Sequence, residues 1–504
     1  MHFKQLLYSA CRICFSTVTA ALLLSQISFC LITFFKTYGD TADDHSDKGY
    51  AVLQTEDGGY IAAGEYGNYF KLINHRTYYY GDVYLVKTNE YGDTLWTKTY
   101  GDTGSVRELA YSMDNSSDGG YIICAYNETT YKLWLIKIDS QGDSIWTKKY
   151  QLGYYDAQGV CIKKVNDEGY IITGSISRDN PFRQYDIFLL KTNSKGDSTW
   201  LRTYDNNNNP DHGFYVQQTS DSGYIIAASG LFIKTDSKGD TIWTKIYPGL
   251  PHSIYETKDG GYFIAGEYVE QPCEGCELEL HILLLRTDSN GDTLWTRKIN
   301  NGSYGDYAYA MKRTSDGGSI IAGETSYNYY DTDIYLLKLD EEGNYQWSSV
   351  IGRNLGETGD EKHYRGYDVE ETSDGGYIIT GLKWIYIGWY EYLDLCLVKV
   401  NDKGQLTGVN EAETKIPSYF ELLQNYPNPF NSETVIRFSV AYSSRVRIDV
   451  FDMLGRRVDT IADSYFTSGQ YSVRFVSHSL SSGIYFYRMQ ANEFYATRKF
   501  IVIR

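Results

Sequence analysis

One short pattern returns seven times along the chain, and this repeat constrains the fold more than any other feature. An acidic–Gly turn opens onto an aromatic and an apolar run at Asp57-Gly58-Gly59-Tyr60, Asp118-Gly119-Gly120-Tyr121, Asp167-Glu168-Gly169-Tyr170 and Asp221-Ser222-Gly223-Tyr224. It recurs at Asp259-Gly260-Gly261-Tyr262, Asp316-Gly317-Gly318-Ser319 and Asp374-Gly375-Gly376-Tyr377. The runs that follow, such as Ile171-Ile172-Thr173-Gly174, are short, continuously apolar and bounded by Gly, as strands buried on both faces are. A second signature, Tyr84-Leu85-Val86-Lys87 or Leu283-Leu284-Leu285-Arg286, ends an apolar strand on a basic residue before a polar Gly turn. A third, Trp96-Thr97-Lys98-Thr99-Tyr100 or Trp146-Thr147-Lys148-Lys149-Tyr150, alternates like a strand with one exposed face.

There are seven copies of the first two signatures but six of the third, at Trp96, Trp146, Trp200, Trp243, Trp295 and Trp347. The missing copy lies at the other end, where Phe34-Phe35-Lys36-Thr37-Tyr38 matches Trp96-Thr97-Lys98-Thr99-Tyr100. The N-terminal strand is therefore expected to complete the last unit, which removes two exposed sheet edges. Each unit has room for one more strand before its Gly turn, and four strands in about fifty residues is the size of a propeller blade. The expected fold class is all-β: a seven-bladed β-propeller over residues 34–405, a linker at 406–419, and a small C-terminal Ig-like β-sandwich over 420–504.

Asp288 to Trp295 resembles the quinoprotein-type propeller repeat, with the Asp-to-Gly spacing one residue shorter. It also resembles the sialidase Asp-box, with Trp one residue further from Gly. Both resemblances imply a hairpin staple on the outer blade and no catalytic role.

After residue 405 the pattern changes to alternating strands, Ile436/Phe438/Val440, Val446/Ile448/Val450 and Tyr471/Val473/Phe475. The motifs Tyr426-Pro427-Asn428-Pro429-Phe430-Asn431, Asp452-Met453-Leu454-Gly455-Arg456, Gly483-Ile484-Tyr485 and the Lys499-Phe500 tail closely resemble the type A C-terminal sorting domain of the type IX secretion system. Ser432 stands where a Pro commonly follows the Asn. The resemblance covers about 80 residues. It implies Sec export to the periplasm, then passage by the type IX machinery across the outer membrane of a Bacteroidota-like bacterium, and a secreted or cell-surface protein. The N-terminus fits that route. Lys4 and Arg12 are followed by 23 uncharged, mostly apolar residues, the form of a signal peptide over residues 1–30. The run is also long enough for an uncleaved anchor.

The net charge is −17. Residues 415–504 carry 11 basic and 7 acidic side chains and residues 1–35 two basic ones, which leaves −23 on residues 36–414. Such a surface repels phosphate, and nucleic acid is not an expected partner. Cys273 and Cys276 form a Cys-x-x-Cys in a polar loop, where an exported chain favours a local disulfide. Cys124, Cys161 and Cys396 read as small buried hydrophobes.

The search for chemistry is mostly negative. There is no His-Glu-x-x-His, no Gly-x-Ser-x-Gly and no Gly-x-Gly. No catalytic, metal-binding or cofactor-binding residue is assigned, and no cofactor is expected. The chain has 50 Tyr. Many belong to the repeat, but the surplus concentrates in insertions: Tyr69, Tyr78, Tyr79 and Tyr80; Tyr327, Tyr329 and Tyr330; Trp384 and Trp389. Aromatic clusters of this kind suit glycan stacking or protein contacts, and equally suit packing against neighbouring blades. The favoured function is a non-catalytic binding, adhesion or scaffold protein with a protein or glycan ligand. A secreted propeller hydrolase or lyase acting on polysaccharide is the alternative.

Overall fold

The computed structural model describes residues 32–503 apart from 40–45, 74–75, 103–105, 154–155, 178–184, 206–210, 272–277, 300–304, 327–331, 353–362, 388–389, 407–419, 426, 432, 441–443, 467–468, 477–479 and 492–493. The expected leader (1–30) and the Cys273/Cys276 pair lie outside the described residues. Among the described residues every regular element is a strand, and no helix is long and apolar enough to cross a membrane.

Each repeat becomes a four-stranded antiparallel unit, in chain order from first to fourth strand in six units, while the last takes its fourth strand from Phe34–Tyr38. The first strands are Ser46–Gln54, Glu108–Asn115, Asp156–Lys164, Gly213–Gln218, Leu250–Glu256, Gly305–Arg313 and Tyr364–Glu371. They touch one another in that order, and Tyr364–Glu371 touches Ser46–Gln54 again, so they form a closed hub. The hub strands are inner sheet edges with unpaired N–H groups. Side chains of neighbouring units cap them: the Asp114 carboxylate accepts from Lys164 N at 2.8 Å, Glu256 from Ser220 N at 2.7 Å and Glu370 from Gln54 N at 3.1 Å.

The Gly turn and the basic residue of the second signature form one staple. Lys87, Lys137, Lys191, Lys234, Lys338 and Lys399 are buried, and each donates to the turn Asp of its own unit at 2.7–3.1 Å. In the fifth unit Arg286 does the same with Asp259. Each of these lysines also donates to the carbonyl of the residue that follows it, as Lys137 does to Ile138 at 3.2 Å. The two glycines of the turn answer different demands. The first has φ near +80° (Gly58, Gly119), and Glu168 and Ser222 hold the same conformation in its place. The second is Gly in all seven units because a Cβ on Gly120 would lie 2.1 Å from the Ile138 carbonyl oxygen.

The third signature ties one unit to the next. Alternate residues of Thr94–Tyr100 face inward. Trp96 packs on Gly142 of the following unit, Lys98 reaches Asp143 at 2.5 Å, and the Tyr100 hydroxyl donates to the Gly142 carbonyl. The same triplet recurs as Trp146, Lys148 and Tyr150 on Gly196 and Asp197. Phe34–Tyr38 pairs antiparallel with Tyr390–Val400 of the last unit, from Phe34↔Lys399 to Tyr38↔Leu395. From there Phe34 packs on Gly92 of the first unit, Lys36 bonds Asp93 at 2.5 Å, and the Tyr38 hydroxyl donates to the Gly92 carbonyl at 2.5 Å. The substitute strand thus makes every contact of the motif it replaces.

The C-terminal strands form two sheets. Glu433–Val440 lies between Glu421–Leu422 and Gly469–Val476. The second sheet runs Arg457–Phe466, Ser444–Phe451, Gly483–Ala491, Phe494–Val502. Ile436 and Phe438 from one sheet meet Val446, Ile448, Tyr487, Met489 and Phe500 from the other in a buried core.

Candidate functional site

Every hub strand contains a β-bulge at the same place. The register skips one residue between Gly49/Ala51, Ala110/Ser112, Gly159/Cys161, Gly213/Tyr215, Pro251/Ser253, Ala308/Ala310 and Gly366/Asp368. A bulge leaves its extra residue out of the ladder and re-aims its side chain. The extra residues are Tyr50, Tyr111, Val160, Phe214, His252, Tyr309 and Tyr367, all half-buried. They touch around the hub: Tyr111–Tyr50 (ring centroids 5.7 Å), Tyr50–Tyr367 (5.3 Å), Tyr367–Tyr309 (5.2 Å), Tyr309–His252 (6.3 Å) and His252–Phe214 (5.3 Å). Gln158 of the third unit joins them by donating to the Tyr111 hydroxyl at 2.7 Å. The signal was present in the sequence and missed. A small residue or Pro followed by this position stands seven residues before the turn Asp in every unit.

Around this aromatic ring, three buried carboxylates follow equivalent Gly residues of the second strands: Glu65, Glu267 and Glu324. Each is matched by a cationic or ionisable partner. Arg107 holds Glu65 through two nitrogens, one at 2.9 Å, and also reaches Glu128 at 2.8 Å. His252 Nε2 lies 2.9 Å from Glu267. Arg365 pairs with Glu324, which also accepts from the Tyr309 hydroxyl at 3.1 Å. Burial pushes the Glu324 carboxyl up, while Arg365 and the Tyr309 hydroxyl pull it back. Burial likewise drives the Tyr111 phenol up to about 12.

The aromatic insertions leave the second strands at the same end. In the first unit they extend the hairpin: Tyr69 pairs with Tyr80, Tyr79 with Phe70 and Tyr78 with Lys71, out to Ile73↔Arg76. In the last unit Trp384 pairs with Leu393 and the hairpin continues to Ile387↔Tyr390. In the first and last units the insertions are therefore longer strands. Trp384 is half-buried, its ring 5.2 Å from His363 and 4.9 Å from the Arg365 guanidinium. It thereby connects through Arg365 and Glu324 to Tyr309 and the hub. Tyr327, Tyr329, Tyr330 and Trp389 lie outside the described residues. Among the described residues no group of His, Cys, Asp and Glu is arranged to hold a metal, and Cys124, Cys161 and Cys396 are free and buried.

In the C-terminal sandwich, the motif residues lock its first loop to its last strand. The Asn428 side chain donates to the Lys499 carbonyl at 3.2 Å and accepts from Ile501 N at 2.9 Å. Phe430 exchanges two backbone bonds with Ile501 and Ile503 and packs on Phe475 and Phe500. Asp452 caps the hairpin that turns at Gly455 (φ +76°) and leaves Leu454 exposed at its tip. Gly483 and Ile484 open the strand that buries Tyr485, whose hydroxyl donates to the Ser481 carbonyl at 3.1 Å. Tyr426 lies outside the described residues.

Residues 424–503 match the family model of the secretion system C-terminal sorting domain. The C-terminal sandwich is a sorting domain. With the sorting domain, the chain is an exported protein, delivered to the cell surface or secreted, and the sorting domain engages the type IX secretion machinery. The domain in front of it is propeller-like. A search of the curated proteins finds no match. Similar solved structures include the extracellular domain of a hybrid two-component system from B. thetaiotaomicron, with 10% identity, TM-score 0.32, and coverage of 90% of this chain and 72% of that one. The WD40 domain of Neurospora crassa Pan2 is similar at 9% identity and TM-score 0.42, over 73% of this chain and 95% of that one. An ancestral GH74 enzyme is similar at 12% identity and TM-score 0.43, over 92% and 63%.

Proposed function

We propose that the protein is a non-catalytic binding protein of the cell surface or medium, with a glycan as its ligand on the hub face that carries Trp384 and the extended hairpins. In this reading residues 1–30 are the Sec leader, 34–405 the propeller, 406–419 a linker and 420–504 the sorting segment. The observation that carries it is the pairing of Glu65 and Glu324 with Arg107 and Arg365, beside a ring of tyrosines. A carboxylate engaged by a guanidinium is committed to that pair, whereas tyrosine and tryptophan faces beside fixed polar groups suit sugar rings. A glycan array paired with a turnover assay on the purified protein tests this. Binding without product, weakened by Trp384→Ala, supports it; sequence-specific cleavage overturns it.

One observation favours the second reading, a polysaccharide hydrolase or lyase. Burial pushes the Glu370 carboxyl up to about 7 against the pull of Lys312, and a general acid needs a carboxyl poised near neutrality. In that case Glu370→Gln abolishes turnover and leaves binding in place.

A further inference from the structure

The hub has a second mouth, at the Gly-turn ends of the first strands, where a cavity of about 420 Å³ opens. That is within the usual range of small-ligand pockets, roughly 300–1,000 Å³. Asp114, Lys163, Tyr215, Gln217 and Lys312 line its interior, with Lys164 at the rim. The cavity thus holds three cations and one acid, inside a segment whose net charge is strongly negative.

Among the described residues, two of its groups lack an ion-pair or hydrogen-bond partner. Lys163 makes no ion pair among the described residues, and its ammonium lies over the Tyr215 ring, 5.3 Å from the centroid. Gln217 Oε1 is buried without a hydrogen bond. Lys312 and Asp114 are already engaged, and the Lys164 side chain is exposed at the rim. Lys312 faces Asp368 at 3.4 Å, and Asp114 accepts from Lys164 N at 2.8 Å. Burial opposes the Lys163 charge, but Tyr215, Asp114 and Asp368 outweigh it and keep the amine protonated.

We propose that this cavity binds an acidic sugar, with the uronate carboxylate on Lys163 and a ring hydroxyl on the Gln217 amide. One unpaired ammonium in the interior matches a single negative charge. A phosphate dianion would need a second free cation there, and Lys312 is neutralised by Asp368. The unpaired Gln217 oxygen beside the ammonium suits a sugar, which presents a hydroxyl next to its carboxylate, better than an acidic peptide side chain, which presents none. This site is separate from the Trp384 face, and its failure would leave the reading of that face untouched.

Calorimetric titration of the purified full-length protein with trigalacturonate tests the assignment, with maltotriose, inorganic phosphate and triglutamate as comparison ligands. Trigalacturonate should bind more tightly than all three, and added salt should weaken it. Lys163→Met should weaken it by roughly tenfold or more, the loss expected for a charge-assisted contact. Gln217→Leu should weaken it severalfold, and Trp384→Ala should leave it unchanged. Thermal melts establish that the variants fold, and Gln217→Leu serves as the reporter if Lys163→Met does not. No binding of trigalacturonate, equal or tighter binding of phosphate or triglutamate, or affinity unmoved by a folded Lys163 or Gln217 variant overturns the proposal.

Discussion

Replacing Asp118 by alanine strands the Lys137 ammonium. That side chain is 4% exposed, while its partner carboxylate is 55% exposed. Lys137 Nζ donates to both Asp118 oxygens, at 2.7 and 2.9 Å, and to the Ile138 carbonyl. Removing one partner of a fully buried ion pair costs about 3–5 kcal/mol, because the other charge stays buried without compensation. The exposed carboxylate shows that water reaches this site, and solvent screening lowers the figure to about 2–3 kcal/mol. The reverse change is milder. Lys137→Met fills the same space with an apolar chain, and Asp118 keeps its bonds from the Ser116 hydroxyl and Gly120 N. The Asp118→Ala/Lys137→Met double variant should recover at least half of the Asp118→Ala loss. Urea midpoints for the four proteins, measured at constant slope, close this cycle. Equal losses for the two single variants, or additive losses in the double, would refute the reasoning. Acid adds a second readout. Burial pushes Asp118 up, but its bonds from Lys137, Ser116 and Gly120 bring it down to about 2, against roughly 3.9 in an unfolded chain. Its contribution is therefore complete above pH about 4 and fades as pH falls through 2. Asp118→Ala should flatten the stability curve in that window and nowhere above it.

Other outcomes follow from the same geometry. Gly120→Ala should cost about 3 kcal/mol because its Cβ meets the Ile138 carbonyl. Gly119→Ala should cost only about 1 kcal/mol, since Glu168 and Ser222 hold the equivalent backbone; thermal melts that reverse this order contradict the account. Tyr38→Phe removes the bond to the Gly92 carbonyl and should cost about 1 kcal/mol, and deleting residues 34–38 should leave a destabilised, aggregating chain by light scattering. Removing residues 420–504 should hold the protein in the periplasm, and unchanged surface delivery on fractionation would contradict the sorting role.

What the sequence discloses depends on whether a residue's role is local. Turn residues act within a few positions, so the Asp–Gly turns and the alternating Trp strands were legible from spacing alone. The substitute strand was legible because Phe34, Lys36 and Tyr38 repeat the Trp96, Lys98 and Tyr100 triplet. The staples joining Lys137 to Asp118 span one hairpin, and each half was visible as a separate signature before the structure paired them. The bulge residues escaped because the fixed spacing from the turn Asp marks a recurring position but not its conformation; that Tyr50 stands in a bulge and meets its counterparts comes from seven strands meeting at one hub. The aromatic insertions misled for a related reason. Arg76 to Tyr80 interrupts the repeat and so reads as an insertion, yet it pairs with Tyr69 to Ile73 and prolongs the unit's own strands. Lys163 and Lys312 come from different units, and only the closed hub places both at one cavity.

Closure by Phe34–Tyr38 also makes the chain's starting point arbitrary. The seam from the last unit to the first carries the same aromatic–cation–hydroxyl contact as the first four junctions, whereas the fifth has Ile299 in place of the tyrosine and the sixth keeps only Trp347 of the triplet. Joining the ends across that seam and cutting instead at another third-to-fourth-strand turn, such as Gly239, would yield a permuted chain with the same junctions. The order of synthesis would change while the set of contacts did not. The pairing of residues 34 and 399 is then a long loop closure whose entropy grows only with the logarithm of its length. With the hub contact between Ser46–Gln54 and Tyr364–Glu371, it must wait for nearly the whole chain.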